Sequence, residues 1–227
     1  MFKKILIANR GEIACRIIKT CARMGIRTVA VFSDCDRNSL HVQLADESVF
    51  IGDSKAKESY LSIEKIVNAC LISGADAVHP GYGFLSENSN FCEALTKAEI
   101  TFVGPPANSI ASMGDKIASK LIAVEAGVST VPGFLGIVKD SKEAVKIAND
   151  IGYPVMIKAS AGGGGKGMRI AQDADEVLEG FVSSQNEAKK SFGDSRVFIE
   201  KYIENPRHIE IQILGDVFGN FIFFGER

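Results

Sequence analysis

The sequence predicts an α/β protein in two parts: a parallel sheet covered by helices on both faces, then a smaller unit built around a glycine-rich hairpin. Three observations lead there. Short apolar runs at 5–8, 28–32, 49–51, 77–79 and 101–103 alternate with amphipathic segments, the spacing of strands joined by crossover helices. At 155–170 an apolar strand carrying Lys158 runs into five glycines in six residues and re-emerges as a second short strand. The chain has 227 residues and 46% apolar content, enough for one large core or two smaller ones.

After the first strand, Asn9 and Glu12 have capping-box spacing, and Ile13, Ile17, Ile18 and Cys21 line one face of a helix that Gly25 ends. Arg16, Lys19 and Arg23 form a basic stripe on that helix, read as a solvated face, with a dimer contact as the alternative. Ile63, Ile66, Val67, Cys70 and Leu71 mark a second helix closed by Gly74, and a third is predicted at 90–97. Pro105-Pro106 breaks the chain, and a helix at 117–125 follows Gly114-Asp115-Lys116. A lysine at a helix start opposes the macrodipole, so Lys116 is either simply exposed or leans on something negative.

The second part begins near Pro132. Asp140 with Glu143 and Asp173 with Glu176 predict two capped helices flanking the hairpin, the first burying Ala144, Ile147, Ala148 and Ile151, the second Val177, Leu178, Phe181 and Val182. A strand is predicted at 197–203, with Glu200 and Lys201 pointing to opposite faces. A strictly alternating strand follows at 208–214, with His208, Glu210 and Gln212 on one face. After the Gly219-Asn220 turn, 221–224 is its hairpin partner. Strand 197–203 is either an edge with two solvated charges or a backbone reader of a base. The polar row at 208–212 is either a wet sheet face or the floor of a cleft.

The glycine stretch carries the chemistry. Closely spaced glycines let consecutive N–H groups close on an anion, and Lys158 and Lys166 supply charge, so the residues read as a polyphosphate cradle. Gly162, Gly164 and Gly167 have Gly-x-Gly-x-x-Gly spacing, yet a strand follows where a dinucleotide fingerprint needs a helix. Gly167 stands where a Walker A loop needs Ser or Thr. Strand, glycine loop and strand together make a flap over phosphates. A flexible surface hairpin would explain the glycines but not Lys158, which shares a strand face with Met156 and Ser160 and needs an anionic partner. The loop at 79–88, His-Pro-Gly-Tyr-Gly-Phe-Leu-Ser-Glu-Asn, lies at the carboxyl end of a parallel strand, where ligands of such sheets bind. It is either a site element or a packed loop.

Composition excludes other classes. A net charge of −2 gives no electrostatic reason for nucleic-acid or membrane binding. The five cysteines contain no Cys-x-x-Cys pair, and no apolar run is long enough to span a bilayer, so a soluble cytoplasmic protein is expected.

Five stretches carry a family resemblance: Ile-Ala-Asn-Arg-Gly-Glu-Ile-Ala at 7–14, the loop at 79–88, Met-Gly-Asp-Lys at 113–116, Lys-Ala-Ser-Ala-Gly-Gly-Gly-Gly-Lys-Gly-Met-Arg at 158–169, and Glu-Lys-Tyr-Ile-Glu-Asn-Pro-Arg-His-Ile-Glu-Ile-Gln at 200–212. In this order they resemble the biotin carboxylases of the ATP-grasp superfamily. The wording at 158–169 and 181–192 is most similar to alpha subunits of propionyl-CoA, acetyl-CoA and related acyl-CoA carboxylases. The resemblance implies a Rossmann-like N-terminal (pre-ATP-grasp) domain over 1–112 and a partial ATP-grasp domain over 113–227, with a lid over about 132–203. It implies phosphate contacts from Lys116 and Lys158, and a lid loop at Gly162, Gly163, Gly164, Gly165, Lys166 and Gly167. Met168, Glu200, Lys201 and Ile203 are implied at the adenine, His208 at the nucleotide and Tyr82 near biotin.

The implied reaction is ATP- and bicarbonate-dependent carboxylation of carrier-linked biotin through carboxyphosphate, with Mg2+. The implied partners are a biotin carrier domain, a carboxyltransferase subunit and a second copy in a homo-oligomer. The family pattern continues past Glu226-Arg227 with the catalytic lysine, the metal-binding glutamates, the bicarbonate arginine and the general base. No catalytic or metal ligand residue is therefore expected within 1–227, and the chain alone is expected not to complete the reaction. A non-catalytic ATP-binding or assembly fragment needing a complementing C-terminal chain is the alternative. The loops at 79–88 and 158–169 speak against a carbamoyl-phosphate synthetase.

Overall fold

Each apolar run of the first half becomes a strand of one parallel sheet, because each is too short for a helix. The three at its centre, Lys4–Ile7, Arg27–Ser33 and Ala77–His79, are mostly buried, while the outer strands Glu47–Gly52 and Thr101–Phe102 are partly exposed. In the computed structural model, which describes residues 1–161 and 166–226, the order is β1 (Lys4–Ile7), α1 (Gly11–Arg23), β2 (Arg27–Ser33), α2 (Leu40–Leu44), β3 (Glu47–Gly52), α3 (Ile63–Ser73), β4 (Ala77–His79), α4 (Ser89–Lys97), β5 (Thr101–Phe102), α5 (Ala107–Gly114) and α6 (Lys116–Glu125). The strands run β3-β2-β1-β4-β5, and Ile5 of the central strand pairs with Thr28 and Ala77. Alternation divides the core. Leu6, Val29, Val31 and Val78 meet Ile66 and Cys70 of α3 and Phe91 and Leu95 of α4, while Ile5, Ile7 and Ala77 meet Ala14, Ile18 and Cys21 of α1. Fully burying a side chain the size of Leu6, Val29 or Phe91 stabilises by roughly 1.5–3 kcal/mol.

Local rules fail here in identifiable places. No capping box starts α1: its N-cap is Arg10, which makes no side-chain cap. Asn9 is drawn instead to the loop after β4, and Glu12 pairs with Arg16. Leu71, expected on the buried face of α3, is exposed. The sequence reading passed over α2, a helix of five residues, and α5, which starts directly after Pro106 as N-cap. Arg16, Lys19 and Arg23 are exposed, except that Ile17 beside them is half-buried.

The chain divides into two compact units, Met1–Ala126 and Gly127–Arg227. In the second, α7 (Ser141–Ile151), β6 (Val155–Ala159), β7 (Met168–Ala171), α8 (Ala174–Phe192) and β8 (Val197–Lys201) precede a ribbon of β9 (Ile211–Gly215) and β10 (Phe221–Glu226). Asp140 and Asp173 accept from the backbone N–H of Glu143 and Glu176, both at 2.9 Å. Each glutamate reaches back to the residue before its cap, Lys139 or Gln172. The antiparallel sheet β7-β6-β8 packs one face on both helices, with Val155, Ile157, Ala171, Val197 and Ile199 against Ala144, Ile147, Ala148, Val177 and Phe181. Leu178 and Val182, expected inward, are exposed, because the sheet covers a narrower stripe of α8 than the apolar pattern spans.

Strands β8 and β9 are shorter than predicted, and β10 runs two residues longer. β8 ends at Lys201, and β9 begins at Ile211, so Ile203 and His208 lie in the connection between them. The β9–β10 ribbon is exposed on both faces.

Candidate functional site

The face of β7-β6-β8 that the helices leave open carries the predicted strand residues. Register sets Lys158 between Phe198 and Met168, and Met156 between Glu200 and Ile170. Residues two apart on a strand share a face, so Lys158 and Glu200 are diagonal neighbours, and the Lys158 ammonium donates to Glu200 Oε1. The anionic partner that Lys158 required is thus on the adjacent strand. Both side chains are largely withdrawn from solvent, at 24% and 11% exposure.

Glu200 is held by its backbone. On one side it pairs with β6; on the other a bridge to Gly133 brings the 132–138 segment along β8. There Phe134 N–H donates to Ile199 O at 2.9 Å, Val138 N–H to Val197 O at 3.2 Å, and Lys201 N–H to Pro132 O at 2.8 Å. Gly133 is required for this approach, since a Cβ there would stand 2.7 Å from Glu200 Cβ. Lys201 faces away: its ammonium donates to Gly152 O at 3.0 Å and Tyr153 O at 2.7 Å, fixing the turn into β6. Tyr202 N–H donates to Pro154 O at 3.1 Å, and Ile203 follows where the strand's own bonding ends.

Gly162, Gly163, Gly164 and Gly165 lie outside the described residues. Lys166 is exposed at the turn into β7, and Gly167 is buried at φ +69°, the left-handed region that favours glycine. Its carbonyl accepts from Ala159 N–H at 2.9 Å, which closes the foot of the hairpin. His208 Nε2 contacts Glu210 Oε1 at 2.9 Å on an exposed stretch.

In the first unit, Asp115 caps α6, its Oδ1 accepting from the N–H groups of Ile117 and Ala118 at 2.9 and 3.0 Å. That carboxylate offsets the macrodipole against which Lys116 was weighed, and Lys116 itself is half-buried. At the carboxyl ends of β1 and β4, the Asn9 amide donates to Pro80 O at 2.8 Å and Tyr82 O at 2.9 Å. Tyr82 is 60% exposed. A cluster that sequence reasoning missed backs this loop. The Arg10 guanidinium lies over the stacked rings of Tyr60 and Phe84 and pairs with Asp36. Tyr60 and Ser33 hydroxyls donate to Asp36 Oδ2 at 2.7 and 2.9 Å. Burial works to raise the Asp36 carboxyl, but these hydrogen bonds and the Arg10 charge outweigh it and hold it below its ordinary value. Burial pushes the Tyr60 phenol up and the His79 imidazole down.

Among the described residues, no group of three or more His, Cys, Asp and Glu side chains could hold a metal ion, and no helix is long and apolar enough to cross a membrane.

Comparison with known proteins gives two domain matches: the biotin carboxylase N-terminal domain over residues 1–110, and the carbamoyl-phosphate synthase L chain ATP-binding domain over 115–227. The propionyl-CoA carboxylase alpha chain of Ruegeria pomeroyi is 65% identical over the whole chain, and biotin carboxylase 1 of Bacillus subtilis 53%. The chain belongs to the biotin carboxylase family. It spans 33% of the Ruegeria relative and 50% of the Bacillus one. Biotin carboxylases are ATP-dependent ligases, and solved members share this fold. The Campylobacter jejuni biotin carboxylase complex with β,γ-ATP superposes with a TM-score of 0.96 at 46% identity, matching the whole chain and 51% of that protein. The biotin carboxylase domain of Hydrogenobacter thermophilus 2-oxoglutarate carboxylase, bound to MgADP, ADP and bicarbonate, does so at 0.94 and 50% identity, matching the whole chain and 50% of that one. The resemblance drawn from the sequence motifs is borne out in both halves, as is the α/β class with an ATP-grasp part.

Proposed function

We propose that this chain is the nucleotide-gripping portion of an acyl-CoA carboxylase's biotin carboxylase component, working in ATP- and bicarbonate-dependent carboxylation of carrier-linked biotin. The observation that carries the reading is Lys158, held by Glu200 on the open sheet face where β6 enters the glycine loop. An ammonium fixed in a half-dry setting neutralises phosphate charge far better than one in water. Lys116, at the capped start of α6, is assigned to the phosphates as well, and the loop over 162–167 to their cover.

Met168 beside Lys158 gives an apolar surface suited to a base, and the backbone from Ile203 onward is free of the strand's ladder to meet its edge. Lys201 contributes through its backbone position, since its ammonium serves the turn before β6. His208 is assigned to the nucleotide and exposed Tyr82 to biotin. The domain division at 112/113, a biotin carrier domain, a carboxyltransferase subunit, a homo-oligomeric parent, propionyl-CoA or acetyl-CoA as the acyl partner and a cytoplasmic site belong to the same proposal.

Calorimetry of the purified chain with ATP, with and without Mg2+, tests this. ATP binding is expected, and Lys158→Ala weakens it by about a hundredfold, the order of one strong charge-assisted contact. A folded chain that binds no ATP overturns the proposal.

A further inference from the structure

We propose that Arg10 is a positioning residue: its guanidinium, lying over the stacked rings of Tyr60 and Phe84 and tied to Asp36, locks the loop after β4 so that the Tyr82 ring meets biotin in one fixed place. The biotin end of this rests on the assignment of Tyr82 above. The placement rests on the fold. In the order β3-β2-β1-β4-β5 the numbering reverses between β1 and β4, and ligands of such sheets bind at the carboxyl ends of the strands that flank that point. The loops over 8–10 and 80–88 leave from those two ends.

Residues 80–84 are held in a costly shape. Gly81, Gly83 and Phe84 all have positive φ, at +65°, +71° and +39°. For a phenylalanine this backbone is strained, and it persists only where the surrounding contacts over-determine it. Two clamps do so. On one side the Asn9 amide donates to Pro80 O and Tyr82 O, while Asn9 Oδ1 accepts from the Arg10 N–H at 2.9 Å. On the other, the Phe84 ring stacks on Tyr60 with centroids 5.0 Å apart, and the Arg10 guanidinium lies 5.6 and 5.8 Å from the Tyr60 and Phe84 centroids. Asp36 holds the guanidinium and the Tyr60 hydroxyl at once. Tyr82 sits between the clamps and is exposed, its hydroxyl 3.5 Å from Glu12 Oε2, too far to hold the ring. The backbone on either side therefore sets where the ring points.

Stability alone does not call for this arginine. Its side chain is half exposed, and ion pairs and cation–π contacts of that kind add little to folding. A fixed aromatic platform does call for it, because a ligand meeting an already ordered ring loses less freedom on binding. The planar fork matters as well. It covers two rings and reaches a carboxylate together, which a lysine ammonium cannot do.

The test follows the Tyr82 ring by NMR in the 227-residue chain with isotope-labelled tyrosine, its signal identified among the four tyrosines by its loss in Tyr82→Phe. Biocytin is the probe, and melting curves are the folding control. The wild type is expected to give one sharp Tyr82 signal that shifts as biocytin is added. Arg10→Met is expected to broaden or split that signal and to weaken the biocytin response about fivefold, the order of ordering one side chain. Asp36→Asn keeps the shape but releases the guanidinium, and gives a smaller change in the same direction should the methionine variant fail to fold. Arg10→Lys keeps the charge without the fork and is expected to restore only a small part of the loss. Folded Arg10 and Asp36 variants whose Tyr82 signal and biocytin response match the wild type overturn the inference and leave the biotin assignment standing. Full rescue by Arg10→Lys overturns it too, since charge alone would then suffice. A folded wild type whose Tyr82 signal ignores biocytin overturns the biotin assignment, and the positioning for biotin with it.

Discussion

The side-chain amide of Asn9 donates to the carbonyl oxygens of Pro80 and Tyr82, so the carboxyl end of β1 holds the loop that follows β4. Asn9 is buried, and Asn9→Ala leaves two carbonyls without this donor. The expected loss in stability is about 2 kcal/mol, with faster hydrogen exchange at the 81–84 amides while β1 and β4 stay protected. Denaturant melts and exchange mass spectrometry read the two effects separately. Equal acceleration across the sheet would refute a local tether.

Behind that loop, Tyr60→Phe keeps the ring stacked on Phe84 but removes the hydroxyl that donates to Asp36 and accepts from Ser33 N–H at 3.2 Å. A destabilisation of about 1–2 kcal/mol is expected at neutral pH. The Asp36 carboxyl is depressed in the fold, so its stabilisation is present above the ordinary carboxylate pKa of about 4 and is lost as pH falls through the lower folded value. The gap between wild type and Tyr60→Phe should therefore narrow below that range, and a constant gap down to pH 2.5 would argue against the coupling.

Two histidines titrate with the same sign in a higher window. His41 is fully buried, its Nε2 against Val31 O and its Nδ1 without a hydrogen-bond partner. Burial lowers its pKa; the Val31 carbonyl and Asp36 counter that in part, and Arg10 adds to it. His79 is lowered by burial. Both stay neutral in the fold while the unfolded chain takes up protons below its pKa of about 6.5, so stability declines as pH falls from there toward the folded values. Melting temperature is expected to drop between pH 7.5 and 5.5, and the slope to flatten in a His41→Gln/His79→Gln double variant. An equally steep slope in that variant would place the proton uptake elsewhere.

Gly133 permits two backbones to meet. An added Cβ would stand 2.8 Å from both Glu200 Cα and Ile199 O, atoms that cannot rotate away. Gly133→Ala should detach the 132–138 segment from β8, lowering the stability of the second unit by about 1–3 kcal/mol and weakening ATP binding. Gly127→Ala, where a Cβ meets nothing within 4 Å although φ is +72°, is the comparison: it carries backbone strain alone. Matching effects on ATP from both would show that strain, not the displaced strand, is responsible.

The sequence was legible wherever a local rule governs. Apolar runs gave all five strands of the parallel sheet, and Asp140 and Asp173 announced their helices through side chains bonding three residues ahead. It misled where a distant partner outbids the local one. Asn9 has the spacing of a cap, but the carbonyls of Pro80 and Tyr82 take its amide. Lys158 declared a need for an anion, yet only strand register identifies Glu200, 42 positions away, as its source. The Arg10, Asp36, Tyr60 and Phe84 cluster leaves no trace in spacing, because its members come from separate strand ends and loops.

The β9–β10 ribbon sets a last expectation. Its alternation reads as a half-buried strand, yet both faces are exposed, with Ile213 at 61%, Phe221 at 74% and Phe223 at 80%. Within the described residues its two strands pair only with each other. A lone two-stranded hairpin is marginal in water, and apolar strands with unpaired edges add further strands. The chain should therefore self-associate as concentration rises. Phe221→Lys/Phe223→Lys places charge on exposed positions of one strand face and should shift sedimentation toward the monomer. Stability of the two compact units should change by no more than about 0.5 kcal/mol, since neither phenylalanine belongs to their cores. Association that survives this double substitution would assign it to another surface, and a fall in melting temperature would mean that the ribbon packs against something that solvent exposure does not reveal.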